Sequence, residues 1–406
     1  LAAISLTSDT LTLGGNVFGA STLLLQPTTV SRSIGLAGAA GAFSLSAAEL
    51  AYLQDGFTSI TIGRSDGEHA ILSNALTVND PFTVQTPSGG SITVNGQITG
   101  AGDASITLSG AGTTTTLNAD IVTAGQAITI SDSVTLGSPA TITLDTTNSG
   151  AVAAGANVTV SGAVNDSSAG ASAFTVNSGT AGDISLATIG STTAIGDLTI
   201  VGSDVEFTNS VTLHTGKSLT VTNSGTWTIG LATITAPGGI TQNGSGTTSL
   251  SNSTTLATSN GTISFATAIN GANNLTINNG TGAVSLTGLG TGAALGNVAI
   301  TSGTLNFGGA VTLATAKALT VTNSGVWTVG AEAITAPGGI TQNGAGLTSL
   351  AGNATLVTSS NAVSFDTAIN GGFDLTVTAG TGAVSFTALG SGTALNTVAI
   401  TAGAVN

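Results

Sequence analysis

Lys217-Ser-Leu-Thr-Val-Thr-Asn-Ser-Gly-Thr-Trp227 returns as Lys317-Ala-Leu-Thr-Val-Thr-Asn-Ser-Gly-Val-Trp327, and Ala236-Pro-Gly-Gly-Ile-Thr-Gln-Asn-Gly244 returns as Ala336 to Gly344. The period is 317 − 217 = 100 residues. Aligned without gaps, residues 217–306 and 317–406 agree at about 60% of positions, and most exchanges (Ser/Ala, Ile/Val, Leu/Phe) keep size and burial. A shorter spacing runs inside this period. Leu275-Thr-Ile, Val298-Ala-Ile, Leu319-Thr-Val and Ile340-Thr follow one another at intervals of roughly 21 to 23 residues, the size of one repeat unit. Ile263-Ser-Phe, Val284-Ser-Leu, Leu305-Asn-Phe and Trp327-Thr-Val form an interleaved series. Each triplet alternates apolar, polar, apolar, the pattern of a strand with one buried face. Pieces such as Asn278-Asn-Gly-Thr-Gly282 separate the triplets and supply residues that tolerate φ > 0 at tight corners.

Two or three short strands per unit of roughly 21 residues describe one coil of a β-solenoid, in which no coil buries its apolar face alone. The expected fold is therefore all-β, a right-handed parallel β-helix of about 21-residue coils; some 19 coils at about 4.8 Å each would extend roughly 90 Å. An array of 100-residue β-sandwiches is the rival, but sandwich strands need longer alternating runs than these. The register divides the chain into solenoid coils with a short helical insertion (1–90), more degenerate coils (91–181), and a solenoid carrying the long repeat (182–406, with 217–316 and 317–406 as its copies). One segment breaks the strand pattern: Ser46-Ala-Ala-Glu49 reads as a capping box followed by Leu50, Tyr52 and Leu53, with Gly56 as a stop, so a short helix is expected over residues 47–54, lying on the solenoid.

Composition agrees. Charged residues are 5% of 406, hydrophobic residues 41%, and 59 positions are Gly. Solubility must then come from Ser, Thr and Asn, which suits pleated strands better than helices, while the aliphatic content argues against disorder. The formal net charge of −14 offers no basic patch for phosphates, which excludes nucleic acid as a partner. Cys is absent, so there are no disulfides or thiolate metal sites. No apolar run approaches the roughly 18 residues of a membrane span. The chain contains no Met, and Thr401 to Asn406 match Thr301 to Asn306, so it reads as a piece of a longer protein.

Residues 22–67 resemble a known family. Leu24-Leu-Gln-Pro27, Ser33-Ile-Gly-Leu36, Leu45-Ser-Ala-Ala-Glu-Leu50, Leu53-Gln-Asp-Gly-Phe57 and Ser59-Ile-Thr-Ile-Gly-Arg64 look like the filamentous haemagglutinin-like giant adhesins exported by two-partner secretion in Gram-negative bacteria, and Pro87-Ser-Gly-Gly-Ser-Ile-Thr-Val-Asn-Gly96 looks like their solenoid coils. The resemblance implies a right-handed β-helix, export of an unfolded chain through an outer-membrane secretion partner, an extracellular or cell-surface location, and attachment or aggregation. Its expected partners are a host or neighbouring-cell surface, a glycan, or other copies of itself. The absence of Cys agrees, because a disulfide would hinder threading.

Parallel β-helices also carry pectin-degrading activities, which need grouped carboxylates. The closest acidic pairs are Asp66/Glu68 and Asp204/Glu206, each at i, i+2; one repeat later the second pair becomes Thr304 and Asn306. A solvated strand face accounts for them better than a glycosidase pair. His69 and His214 stand alone, and Ala314 replaces His214 in the next repeat. Gly216-Lys-Ser218 lacks the first Gly of a phosphate loop, having Val211 there. No catalytic, metal or cofactor residue emerges, and the chain is expected not to be an enzyme; isolated Asp residues in turns stay open as ion ligands. Trp227 and Trp327 admit two readings, core residues of equivalent coils or exposed aromatics that contact a glycan. Thr-x-Thr triplets such as Thr141-Ile-Thr and Thr220-Val-Thr suggest an ice-binding ladder as a further alternative, but they form no strict column in the sequence.

Overall fold

The structure, a computed structural model, describes every residue except Leu1, Ala111, Thr113, Ser138, Pro139, Leu231 and Ala331. It builds a parallel strand at each triplet of both interleaved series, and inward and outward positions alternate as the apolar and polar residues do. Among the described residues the strands pair in parallel, and the fold is a β-solenoid with three strands per coil. The chain forms two compact units, Leu1–Thr208 and Asn209–Asn406.

In Asn209–Asn406 one coil runs Trp227–Ile229 on face I, Thr233–Thr235 on face II and Gly239–Gln242 on face III, and the next repeats this with Thr248–Leu250, Thr254–Ala257 and Thr262–Phe265. Leu219 pairs in register with Ile240 (240 − 219 = 21) and Ile240 with Ile263 (263 − 240 = 23). Inward side chains such as Leu219, Ile240, Ile263 and Leu275 are fully buried, and each contributes about 1.5–3 kcal/mol by leaving water. The coil spacing does not divide the long repeat. Leu219 connects through Ile240, Ile263, Val284 and Leu305 to Trp327, five coils further along face III. The offset across those five coils is 327 − 219 = 108, so the long repeat, at 317 − 217 = 100, falls short by one strand and its turn. Leu319, the sequence equivalent of Leu219, consequently lies on face II between Val298 and Ile340. The repeat spans about four and two-thirds coils, and every repeated motif moves to a different face.

Corners close where the backbone permits. Gly290 and Gly390, one repeat apart, hold φ of 67° and 64°, and a Cβ at Gly290 would sit 2.0 Å from the Thr312 carbonyl oxygen. Only glycine meets both demands.

Leu1–Thr208 has the same three-strand coil with larger interruptions. Ile4 pairs with Leu23 (23 − 4 = 19), but Leu23 pairs with Ile60 (60 − 23 = 37). The longer coil holds Ile34–Leu36, Phe43–Leu45 and the helix Ala47–Ala51. The helix is shorter than the expected 47–54 and occupies the third-strand position of its coil instead of lying outside it: Tyr52 is the C-cap, and Leu53 forms a parallel bridge to Val17. The capping box is present in full, with the Glu49 N–H donating to Ser46 Oγ and the Ser46 N–H donating to Glu49 Oε2. Glu49 Oε1 also accepts from the Leu13 N–H, which draws the preceding chain against the helix.

Candidate functional site

Outward residues of adjacent strands line up in continuous rows. On face II of Asn209–Asn406 the row runs Thr233, Thr255, Thr276, Ala299, Thr320, Thr341, Ser364 and Ser385. On face III it runs Thr220, Thr241, Ser264, Ser285, Asn306, Thr328, Ser349 and Asn370. The sequence concealed this order, because neighbours in a row are separated by a whole coil of chain. Each row presents hydroxyl or amide groups at the inter-strand spacing, about 4.8 Å. The second outward row of face II is mixed, running Thr235, Ala257, Asn278, Thr301 and Thr322, so the paired Thr columns of an ice-binding ladder do not form there.

Trp227 and Trp327 are not part of these surfaces. Both are 0% exposed, and each stacks in the solenoid interior on a phenylalanine of the next coil: Trp227 on Phe265 at 5.7 Å and Trp327 on Phe365 at 5.6 Å, both with interplanar angles of 8°. The core reading describes them, since a buried indole presents no face to a glycan. They also do not occupy equivalent faces, Trp227 lying on face I and Trp327 on face III. A polar network travels with each. Gln242 Nε2 donates to Asn223 Oδ1 (2.8 Å), the Gly244 oxygen (3.0 Å) and the Gly246 oxygen (3.1 Å). Gln342 repeats the set to Asn323, Gly344 and Gly346 at 2.9, 2.9 and 3.1 Å. These buried amides give corner carbonyls a donor, and the Gly246 and Gly346 oxygens also accept from the hydroxyls of Thr267 and Thr367 at 2.6 Å.

The titratable groups gather in Leu1–Thr208. Arg64 forms a forked ion pair with Asp66 (2.7 and 2.8 Å) and donates to the Pro27 oxygen at 2.9 Å. The guanidinium holds the Asp66 carboxyl below the usual aspartate range, chiefly through these hydrogen bonds. His69, 3% exposed, lies beside them with Nε2 within 3.4 Å of the Arg64 N–H and 3.3 Å of the Gln85 oxygen; burial lowers its pKa, so it is held neutral. Asp66 therefore serves Arg64 and is not half of an acid–base pair with Glu68. Asp204 and Glu206 are exposed, with Glu206 pointing out from the strand Val205–Phe207. His214 is half-buried.

Three buried aspartates organise corners with both carboxylate oxygens engaged. Asp132 accepts from the Gly110 N–H and Thr115 Oγ1, Asp145 from the Thr147 and Ser149 N–H groups, and Asp166 from the N–H and hydroxyl of Ser172. Asp80 differs. It is 1% exposed, Oδ1 accepts from the Gly56 N–H at 2.8 Å, and Oδ2 is buried with no hydrogen-bond partner. Asp55 and Asp103, both exposed, bring their carboxylates to the same corner. Burial raises the Asp80 pKa, opposed by the Gly56 N–H and reinforced by the two neighbouring charges. Adjacency in sequence does not reveal this cluster; the signal is the coil spacing, 80 − 55 = 25 and 103 − 80 = 23.

A groove of about 430 Å³ opens between the helix and the neighbouring strands, lined by Ala47, Leu50, Ala51, Leu76, Thr77 and Thr99 among others, without a titratable side chain. Among the described residues no helix is long and apolar enough to cross a membrane. Compared with known proteins, the chain matches no family model, no curated protein and no solved structure.

Proposed function

We propose that the chain is a repeat segment of a secreted bacterial surface fibre, which attaches through many weak contacts made by its outward hydroxyl and amide rows and carries out no catalysis. The observation that carries this reading is the pair of long rows, from Thr233 to Ser385 and from Thr220 to Asn370, each crossing eight strands, the first with Ala299 as its one position lacking a polar side chain. Rows of hydroxyls and amides suit hydrogen bonding to glycans on a host or neighbouring cell, or to the same rows on another copy. Individually weak sites gain strength when many engage together. The shift of each repeat by a third of a coil distributes a given motif over all three faces within three repeats, so attachment would not depend on which side of the fibre meets the surface.

The resemblance of residues 22–67 to filamentous haemagglutinin-like adhesins supports the same reading and adds export through an outer-membrane partner to the cell surface. Open ends of parallel sheets carry unpaired backbone groups, which favours coverage by continuing chain or by a second copy. Electron microscopy of the native material, with and without the gene, tests the proposal. Thin fibres whose loss abolishes attachment are expected; compact particles, or attachment unchanged by the deletion, would overturn it.

A further inference from the structure

Asp55, Asp80 and Asp103 occupy one corner of three consecutive coils. Asp80 lies between the strands Leu76–Val78 and Phe82–Thr86, Asp103 between Ile98–Gly100 and Ile106–Gly110, and Asp55 between the helix Ala47–Ala51 and Ser59–Ile62. We propose that these three carboxylates bind a calcium ion that fastens the helix-bearing coil to the two coils after it.

Two independent observations meet here. One oxygen from each residue lies within 4.8 Å of the others, and twice a calcium–oxygen bond of about 2.4 Å is about 4.8 Å, the greatest separation that two ligands of one ion can have. The second is the state of Asp80. Buried carboxylates elsewhere in the unit use both oxygens, as in Asp132, Asp145 and Asp166, whereas Asp80 keeps a buried Oδ2 with nothing to accept from. An unpartnered buried carboxylate oxygen costs several kcal/mol unless a cation or proton meets it.

No protein cation serves. Arg64 is committed to Asp66 and Pro27, Arg32 donates to the Ala42 oxygen, and there is no other Lys or Arg before Lys217. Oxygen ligands without His or Cys select a hard ion over zinc or copper. The exposure of Asp55 and Asp103 leaves room for the waters that complete a six- to eight-fold calcium shell, and a site assembled from three separate corners suits calcium better than the stricter octahedron of magnesium. Its carboxylates belong to none of the hydroxyl rows, so it does not depend on the chain being an adhesin.

Isothermal titration of the full chain with calcium chloride, after chelator treatment, tests the assignment, with thermal unfolding as a second readout. Saturable binding is expected, together with a rise in Tm that chelator reverses. Asp80→Asn keeps the acceptor for Gly56 and removes the charge; it should fold without calcium and bind the ion at least about tenfold more weakly, the lower bound being what loss of a supporting group alone costs. The double variant Asp55→Asn/Asp103→Asn should lose binding, while Asp183→Asn, an exposed carboxylate at another corner, should keep it. Absence of saturable binding by the unsubstituted chain would overturn the proposal and leave Asp80 as a protonated acid. Unchanged affinity in Asp80→Asn, or an equal loss in Asp183→Asn, would overturn it as well.

Discussion

Leu1–Thr208 and Asn209–Asn406 solve one packing problem with different regularity. In the second unit the register offsets such as Leu219 to Ile240 and Ile240 to Ile263 stay at 21 to 23, many corners carry Gly or Asn, and the only acidic residues are Glu332, Asp366 and Asp374. In the first, the offset from one coil to the next runs from 19 at Ile4 to 37 at Leu23, and buried aspartates tie the longer corners by accepting backbone N–H groups. The contrast shows what each kind of corner does. A uniform coil passes a motif from face to face; an irregular coil still aligns outward hydroxyls, as in the row Thr61, Thr83, Thr107, Thr129, Thr159 and Ser185, and in addition brings charged side chains from different coils together. Outward hydroxyl rows are common to both units, and the carboxylate cluster belongs to the irregular one.

The two units can be followed separately, because both Trp residues lie in the second and the only Tyr, Tyr52, caps the helix of the first. The largest effect is expected from Trp327→Ala. Removing a fully buried indole that stacks on Phe365 should cost about 3–5 kcal/mol, read as a loss of denaturant resistance in the fluorescence of Trp227. A loss near zero would mean that the Trp–Phe stacks do not hold the regular unit together.

A smaller effect, about 1 kcal/mol, is expected from Ser46→Ala, which removes the cap of the helix. This change also carries a pH signature. The Ser46 N–H and hydroxyl hold the Glu49 carboxyl below its ordinary value of 4.5, so the folded pKa is depressed. The stabilisation is then fully present above that ordinary value and is lost as pH falls through the lower, folded value. Acid titration followed through Tyr52 should show helix loosening below about pH 4.5 in the unsubstituted chain, and Ser46→Ala should move that step to higher pH. An unmoved step would separate Glu49 from the cap.

Much of the regular unit was legible in the sequence. The series through Leu275 and the series through Ile263 are faces II and III, since their triplets alternate cleanly. Face I was not legible, because parts of it shrink to Ile269–Asn270, Val311–Thr312 and a single bridge at Leu289, too short for a period-two pattern. The helix was readable from its capping box, but its end was not: Leu53 follows the strand demand of Val17 and not the stop signal at Gly56. The rows and the acidic corner required the register, for neither shows as neighbours along the chain. The sequence also left Trp227 and Trp327 in equivalent coils, which holds only if the long repeat is a whole number of coils.

That last point is open to direct measurement. The chain has no Cys, so pairs introduced for nitroxide labels are unambiguous. Thr220 and Thr328 share the face III row five coils apart, which places their backbones about 24 Å from each other at about 4.8 Å per coil. Thr320, the repeat equivalent of Thr220, lies on face II. Pulsed electron paramagnetic resonance should therefore give the shorter distance for the 220/328 pair and the longer one for 220/320. The reverse order would mean that the repeat closes on whole coils, and would contradict the rotation of motifs from face to face.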